Sequence, residues 1–359
     1  MKLISVMIVE DSRVVREFLE YIINRDPRLK IVASVGTGEE AMRVLPQTTP
    51  DVISLDIRLP GMNGLELTKR IMVEHPTPIV VVSSDVEDEE LKISMNALRA
   101  GALSVVQKPV GLSHSDYDQM AESLCTKLVL MSAVKVIRQR YGTRSDAITI
   151  GDEAITPPVA AVKSSNKQPL ILGMVASTGG PSALVRVLND LGAEFPAPIV
   201  LVQHITPGFM RGFVSWLNEV VSQTVIAPIN DGIMEPGKVY IAPAHCHLIV
   251  SEKGKLRLAA GTPVSLQRPS GTVLLRSLAE VYGKDSVGVV LTGMGDDGAL
   301  GLKAMKEVGA YTLAEHASSA VVYGMPAAAV QLGAASEVLP LATMGRRISE
   351  IFSTKSVVS

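Results

Sequence analysis

The sequence predicts an α/β chain built from two doubly wound parallel-sheet domains, and three observations carry that prediction. Short β-branched apolar runs recur and end in acids or small polar residues. Amphipathic stretches at helical spacing separate them. A small, polar, proline-bearing segment interrupts this pattern, which then restarts. Runs that are apolar on both faces suit parallel strands covered by helices, and the stretches between them suit those helices.

In the first half the runs are Leu3–Val9, Ile31–Val35, Val52–Leu55, Ile79–Val82 and Ser104–Val106. Helical stretches such as Val14–Asn24, Glu39–Leu45 and Gly64–Glu74 fall between them. Such a sheet places its ligand crevice at the carboxyl ends of its strands. Tyr117–Tyr141 reads as a further helix. Residues 142–168, GTRSDAITIGDEAITPPVAAVKSSNKQ, read as a linker with a short ordered segment at Ile148–Ile150.

From Gln168 the pattern resumes, with strands expected at Leu170–Val175, Ile199–Gln203, Val239–Ile241 and Val287–Thr292. Leu248–Ser251 and Lys255–Ala259, split by Glu252-Lys253-Gly254, read as an antiparallel hairpin insert. Helices are expected at Pro181–Leu191, Met210–Val221, Thr272–Tyr282 and Gly298–Val308. The division this predicts is a domain at 1–125, a helix and linker at 126–168, a second domain at 169–345 and a tail at 346–359.

Composition narrows the function classes. Hydrophobic residues make up 47% and aromatic ones 4%, so the cores are expected to be aliphatic. The 34 Lys and Arg nearly balance 36 Asp and Glu, which leaves no overall basic footprint for nucleic acid. The two cysteines, Cys125 and Cys246, lack metal-site spacing and suggest a reducing compartment. Glu10 and Asp11 arrive too early for a secretory signal. No apolar run reaches the roughly 18 residues of a membrane span. The expectation is a cytoplasmic protein without membrane insertion.

Chemistry-bearing residues gather at strand ends. Glu10 and Asp11 follow the first strand, Asp56 ends the third, Ser83 and Ser84 end the fourth, and Lys108 follows the fifth. A parallel sheet brings them to one rim. Acids there can hold a hard divalent cation such as Mg²⁺. One carboxylate can then accept a phosphoryl group while the lysine offsets its charge.

In the second half, VASTGGP bends from a strand into a helix. It lacks the lysine of a phosphate-binding P-loop and the glycine spacing of a dinucleotide site. It fits half of a nucleophile elbow, because Gly179 follows Ser177 by two while Val175 fills the earlier glycine position. On this stretch alone, Ser177 is a nucleophile or a helix cap. PIVLVQH then places His204 at the next strand end, as a base. VGVVLTGMGDDGALG places Asp296 and Asp297 at another, and either could receive the Nδ1–H of His204. Asp297 could equally cap a helix. Backbone N–H groups near Met294 could stabilise an oxyanion. His245 and His247 are spaced as strand neighbours, but no third metal ligand is evident.

Two family resemblances add to this reading. Residues 2–110 resemble a response-regulator receiver domain. That resemblance makes Asp56 the phosphoacceptor, Glu10 and Asp11 the metal-binding pair with Asp56, Ser83 the phosphate-sensing hydroxyl and Lys108 the partner lysine. Val105 stands where many receivers carry a switching aromatic. The stretches ASTGGP, QHITPGF, GKVYIAPAHCH, LTGMGDDGALGL and VVYGMPAAA, between about Pro169 and Leu341, are similar to the catalytic domain of chemotaxis protein-glutamate methylesterases of the CheB type.

The resemblance implies a flavodoxin-like receiver followed by a Rossmann-like methylesterase domain with the hairpin insert. It selects Asp297 over Asp296 as the orienter of a Ser177–His204–Asp297 triad. It makes Met294 the oxyanion N–H and sets Thr178 beside the nucleophile. The implied activity is phosphorylation-activated demethylation of glutamate γ-methyl esters on chemoreceptors, releasing methanol, with deamidation of glutamines through the same acyl intermediate. The implied cofactor is Mg²⁺ in the receiver and none for the ester chemistry. The implied partners are methylated chemoreceptors and a chemotaxis histidine kinase. Ile205-Thr206, Trp216, Gln267 and Gly271-Thr272 depart from the family pattern and bear on how substrate is held. The competing class is a non-enzymatic adaptor with a degenerate hydrolase domain.

Overall fold

The structure, a computed structural model, describes residues 3–83, 88–109, 117–134, 136, 170–252 and 254–353. The segment expected as a linker, Ser84 and His114 lie outside them. The first domain carries strands β1 (Ile4–Val9), β2 (Leu29–Val35), β3 (Val52–Asp56), β4 (Ile79–Ser83) and β5 (Ser104–Gln107). Helices α1 (Arg13–Asn24), α2 (Gly38–Thr48), α3 (Gly64–Glu74) and α4 (Asp88–Arg99) connect them, and α5 (Tyr117–Ser132) follows. The sheet is parallel with order β2-β1-β3-β4-β5.

Local chemistry sets the helix starts. Ser12, Thr37 and Asn63 accept the N–H groups of Val15, Glu40 and Glu66, as helix N-caps do. Burial supplies the larger force. Val6, Met7, Ile8 and Val9 of β1 are all buried, and each such side chain stabilises the fold by roughly 1.5–3 kcal/mol.

The second domain has a seven-stranded parallel sheet. Its strands are β6 (Ile171–Ala176), β7 (Ile199–Gln203), β8 (Thr224–Ile226), β9 (Lys238–Ile241), β12 (Ser286–Val290), β13 (Tyr311–Glu315) and β14 (Glu337–Leu339). Strands β10 (His247–Glu252) and β11 (Lys255–Ala259) pair antiparallel outside it, as the expected hairpin. The helices are α6 (Gly180–Leu191), α7 (Met210–Val220), α8 (Gly271–Tyr282), α9 (Ala299–Glu307), α10 (Met325–Gln331) and α11 (Leu341–Ser353). The order β14-β13-β12-β6-β7-β9-β8 reverses direction at β6. The carboxyl ends of β6, β7 and β12 therefore meet at a switch point, where such sheets open a crevice.

Two expected boundaries differ from the structure. Residues 125 and 126 both lie inside α5, whose Leu124, Cys125 and Leu128 are buried together. The stretch from 346, expected as a tail, continues α11 to Ser353, and Ile348 and Phe352 are buried in the core. An amphipathic helix that closes one side of a sheet cannot end where its apolar face is still covered.

The two domains meet through α4, which packs against α6 and α7. Trp216 Nε1–H donates to Asn96 Oδ1 at 3.1 Å, and Ser182 Oγ–H donates to the Leu98 carbonyl at 3.0 Å. Lys92 Nζ pairs with Glu219 Oε1 at 2.6 Å.

Candidate active site

Ser177 follows β6 in a turn tied down by backbone bonds. Its N–H donates to the Thr292 carbonyl at 3.0 Å, and its own carbonyl accepts the Gly180 N–H at 2.8 Å. Gln203, the last residue of β7, donates Nε2–H to the carbonyls of Ser177 at 2.8 Å and His204 at 2.9 Å. One buried amide thus sets the spacing between the two backbones. Gly179 has φ +77°, and a Cβ there would fall 2.5 Å from Val321 Cβ, so glycine alone fits.

His204 Nε2 lies 2.8 Å from Asp297 Oδ2. The sequence reading had expected Nδ1 to face the carboxylate. The ring instead reaches Asp297 with Nε2, and Asp297 is itself anchored at the start of α8. There Asp297 Oδ1 accepts from Ser270 Oγ (2.6 Å), Thr272 N (3.0 Å) and Gly298 N (3.0 Å), and Oδ2 accepts from Gly271 N at 2.6 Å. Burial alone would raise its pKa. The bonds from His204, Ser270 and Thr272 outweigh burial and hold the carboxyl at about 2. Capping and orienting are therefore combined in one carboxylate.

With Nε2 turned to Asp297, His204 Nδ1 is buried and has no hydrogen-bond partner. His204 lines a cavity of about 220 Å³ that Ser177, Thr178, Gly179 and Gln267 also line. His204 and Ser177 thus share one cavity, and an imidazole held by a carboxylate can serve a serine as general base. Gly293 packs so closely on the nucleophile turn that a Cβ there would lie 2.7 Å from Ser177 Cβ. The peptide leading to Met294 leaves from this contact. The Thr178 side chain is buried in the cavity wall, while its carbonyl accepts Thr292 Oγ–H at 2.9 Å.

The same cavity is bordered by receiver-side residues Leu98, Leu103, Ser104, Val105 and Lys127. The first domain therefore roofs the crevice that holds Ser177 and His204. Val105, which replaces the aromatic that many receivers carry at this position, is part of that roof.

Sequence reasoning missed Gln203 and Glu315. Glu315 ends β13, is fully buried, and accepts the Thr292 N–H at 2.8 Å and Ser319 Oγ–H at 2.9 Å. Burial raises its pKa against the pull of those two bonds. The signal was present, since Tyr311–Glu315 repeats the apolar-run-then-acid pattern of the other rim strands. Among the described residues, neither His245 nor His247 belongs to a group of three metal-type ligands. His247 uses Nδ1 to accept the Ser270 N–H at 3.2 Å, and its Nε2 contacts the Thr262 carbonyl at 3.0 Å.

In the first domain, Glu10, Asp11 and Asp56 bring ligand oxygens within 4.8 Å of one another, the group of this kind among the described residues. Lys108 Nζ lies 2.9 Å from Glu10 Oε2 and 3.0 Å from Asp56 Oδ2. The lysine pulls the Glu10 pKa down by hydrogen bonding and charge, but by less than its surroundings push it up. Burial and the neighbouring Asp56 charge push Glu10 up to about 7, and burial raises Asp56 as well. Such a surplus of hard, poorly compensated oxygens fits a divalent cation. Ser83 is buried at the end of β4, and its carbonyl accepts the Lys108 N–H at 2.9 Å. No helix among the described residues is long and apolar enough to cross a membrane.

Known proteins resemble both halves of the chain. The family model for CheB methylesterase matches residues 172–348, and that for the response regulator receiver domain matches residues 6–115. The protein-glutamate methylesterase/protein-glutamine glutaminase 2 of Paramagnetospirillum magneticum is 49% identical over 351 residues, covering 98% of both chains. Its counterpart in Nitrosospira multiformis is 41% identical over 353 residues, again covering 98% of both. Among solved structures, the CheB methylesterase catalytic domain of Thermotoga maritima aligns at 34% identity with a TM-score of 0.49, over 52% of this chain and 100% of that one.

Proposed function

This chain belongs to the protein-glutamate methylesterase/protein-glutamine glutaminase family, with a receiver domain ahead of its catalytic domain, and we propose how its own residues carry out and gate the reaction. Ser177 Oγ attacks the γ-carbonyl of a methylated glutamate on a chemoreceptor and gives its proton to His204 Nδ1. Asp297 holds the opposite ring nitrogen and steadies the imidazolium that forms. The Met294 N–H stabilises the tetrahedral oxyanion, with Thr178 packing the wall behind the nucleophile. His204 returns the proton to the departing methoxide, which leaves as methanol. Water, deprotonated by the same nitrogen, then cleaves the acyl-enzyme to the glutamate carboxylate. A glutamine amide passes through the same acyl intermediate with ammonia as the leaving group.

The observation that carries this reading is the His204–Asp297 contact at 2.8 Å, beside a cavity that His204 and Ser177 both line. An adaptor with a degenerate hydrolase domain would have no need to keep that geometry.

Asp56 is assigned as the acceptor of a phosphoryl group from a chemotaxis histidine kinase. Glu10, Asp11 and Asp56 would hold Mg²⁺, which supplies positive charge against the phosphoryl oxygens when bound. Lys108 offsets the remaining charge, and Ser83 bonds the new phosphate. In the unphosphorylated chain the receiver roofs the crevice. Phosphorylation moves the population toward an arrangement in which that roof has lifted. Receptor and kinase both meet the protein in the cytoplasm on this account.

A serine-directed covalent probe tests the site assignment. Labelling of Ser177 that is lost in His204→Ala supports it. Labelling of equal rate in that variant would remove His204 as the base.

A further inference from the structure

Leu266 is held in an expensive conformation. Val264 and Gln267 exchange hydrogen bonds, Val264 N–H to the Gln267 carbonyl at 3.0 Å and Gln267 N–H to the Val264 carbonyl at 2.9 Å. Between them Ser265 has φ +49° and Leu266 φ +61°. Two left-handed residues in a two-residue hairpin make the turn for which Asn-Gly is the favoured pair. A leucine there strains the backbone, because its Cβ crowds the following carbonyl. The side chain gains nothing from the protein in return. Leu266 is 94% exposed, the highest value among the large apolar side chains described.

Strain and exposure coincide beside the reactive centre. Gln267, the next residue, lines the cavity that holds Ser177 and His204. The two Cα atoms are separated by about 3.8 Å. No receiver-domain contact covers Leu266 at this exposure, whereas the cavity itself is roofed. A glutamate side chain is short, so the backbone that carries it must lie against this rim when its γ-carbonyl reaches Ser177. Strained residues that persist at such places are usually kept by function, and covering an otherwise solvated leucine side chain is favourable.

We propose that Leu266 is a substrate anchor: it packs against an apolar side chain of the receptor segment next to the esterified glutamate. This rests on the reading of the site as a glutamate methylesterase. The anchor acts on docking of the protein substrate and contributes nothing to bond making. It distinguishes a receptor segment from a free small ester, which is too short to reach the hairpin tip.

The test uses the full chain with Mg²⁺ and acetyl phosphate, and compares methanol release from membranes bearing a methylated chemoreceptor with hydrolysis of p-nitrophenyl acetate. In Leu266→Gly the ratio of receptor to small-ester kcat/KM should fall by about tenfold, carried by the receptor KM, as for an interface anchor. The melting temperature should not fall, because glycine relieves the strain. Leu266→Met should keep the wild-type ratio. An unchanged ratio in Leu266→Gly overturns the proposal, as does a dimer in sedimentation that this variant alone dissolves, since Leu266 would then serve a second copy. Wild-type chain that hydrolyses the small ester but releases no methanol from the receptor overturns instead the substrate reading beneath it.

Discussion

Asp297 faces His204 and, with the same two oxygens, caps helix α8: its carboxylate takes the His204 ring at 2.8 Å together with the N–H groups of Gly271 and Thr272 at 2.6 and 3.0 Å. The base is thereby aligned to the end of a rigid helix. Asp297→Asn would keep the shape but present an amide N–H where an acceptor is needed. It should lower kcat by on the order of a thousandfold, as for other triads that lose their orienter. Steady-state methanol release measures this, and a loss under tenfold would remove Asp297 from that role.

The same carboxylate makes a pH prediction. Its folded pKa of about 2 lies below the ordinary value of 3.8. A depressed carboxyl stabilises the fold above its unfolded pKa, and that contribution fades as pH falls through the folded one. Urea unfolding should show wild type more stable than Asp297→Asn by on the order of 2 kcal/mol at pH 6. The gap should narrow between about pH 4 and pH 2. A gap that is constant with pH would contradict the assignment.

Glu10 carries the opposite sign. Its pKa is raised from 4.5 to about 7, so the folded state binds a proton more tightly than the unfolded chain. The stability this gives is complete below pH 4.5 and disappears as pH rises through 7. A divalent cation neutralises the same surplus charge. Mg²⁺ should therefore raise the receiver's melting temperature more at pH 8 than at pH 5.5, as read by calorimetry of the whole chain. An equal shift at both values would argue against metal binding at Glu10.

Glu315 positions the nucleophile turn through Thr292, whose N–H it accepts at 2.8 Å and whose carbonyl takes the Ser177 N–H at 3.0 Å. Glu315→Ala leaves a buried donor unpaired. It should slow Ser177 labelling and kcat by about tenfold or more. Glu315→Gln keeps an acceptor for Thr292 and should restore most of the rate. Phosphorylation of Asp56 should be the same in both. A Gln variant as slow as the Ala variant would show that the charge itself matters.

At the domain contact, Asn96 accepts from Trp216 Nε1 and Lys92 pairs with Glu219. The ion pair is half exposed and contributes little by itself. Asn96→Ala combined with Glu219→Lys should loosen the roof and raise methanol release without a phosphodonor several-fold. No rise would indicate that α4 does not hold the crevice closed.

Much of this architecture was legible because the parallel sheets announce themselves as apolar runs with chemistry at their carboxyl ends. Ser177, His204 and Asp297 all follow apolar runs in the sequence, which sets them at strand ends. The supporting residues were harder for physical reasons. β8 and β14 are three residues long and too short to show a period. Glu315 ends a short apolar run as the other rim acids do, but that β13 buries it completely is a tertiary property. Gln203 was passed over beside a more conspicuous histidine. Which imidazole nitrogen meets Asp297 is a matter of side-chain rotamer and packing, which residue spacing does not encode.

The account's central claim is that Ser177 forms the acyl bond and that the receiver controls access to it. Methanol release from methylated receptor membranes, by the full chain with and without acetyl phosphate and Mg²⁺, tests both parts. The account predicts low release without the phosphodonor, a clear rise with it, no rise in Asp56→Asn, and none at all from Ser177→Ala. Wild-type release by Ser177→Ala would contradict it.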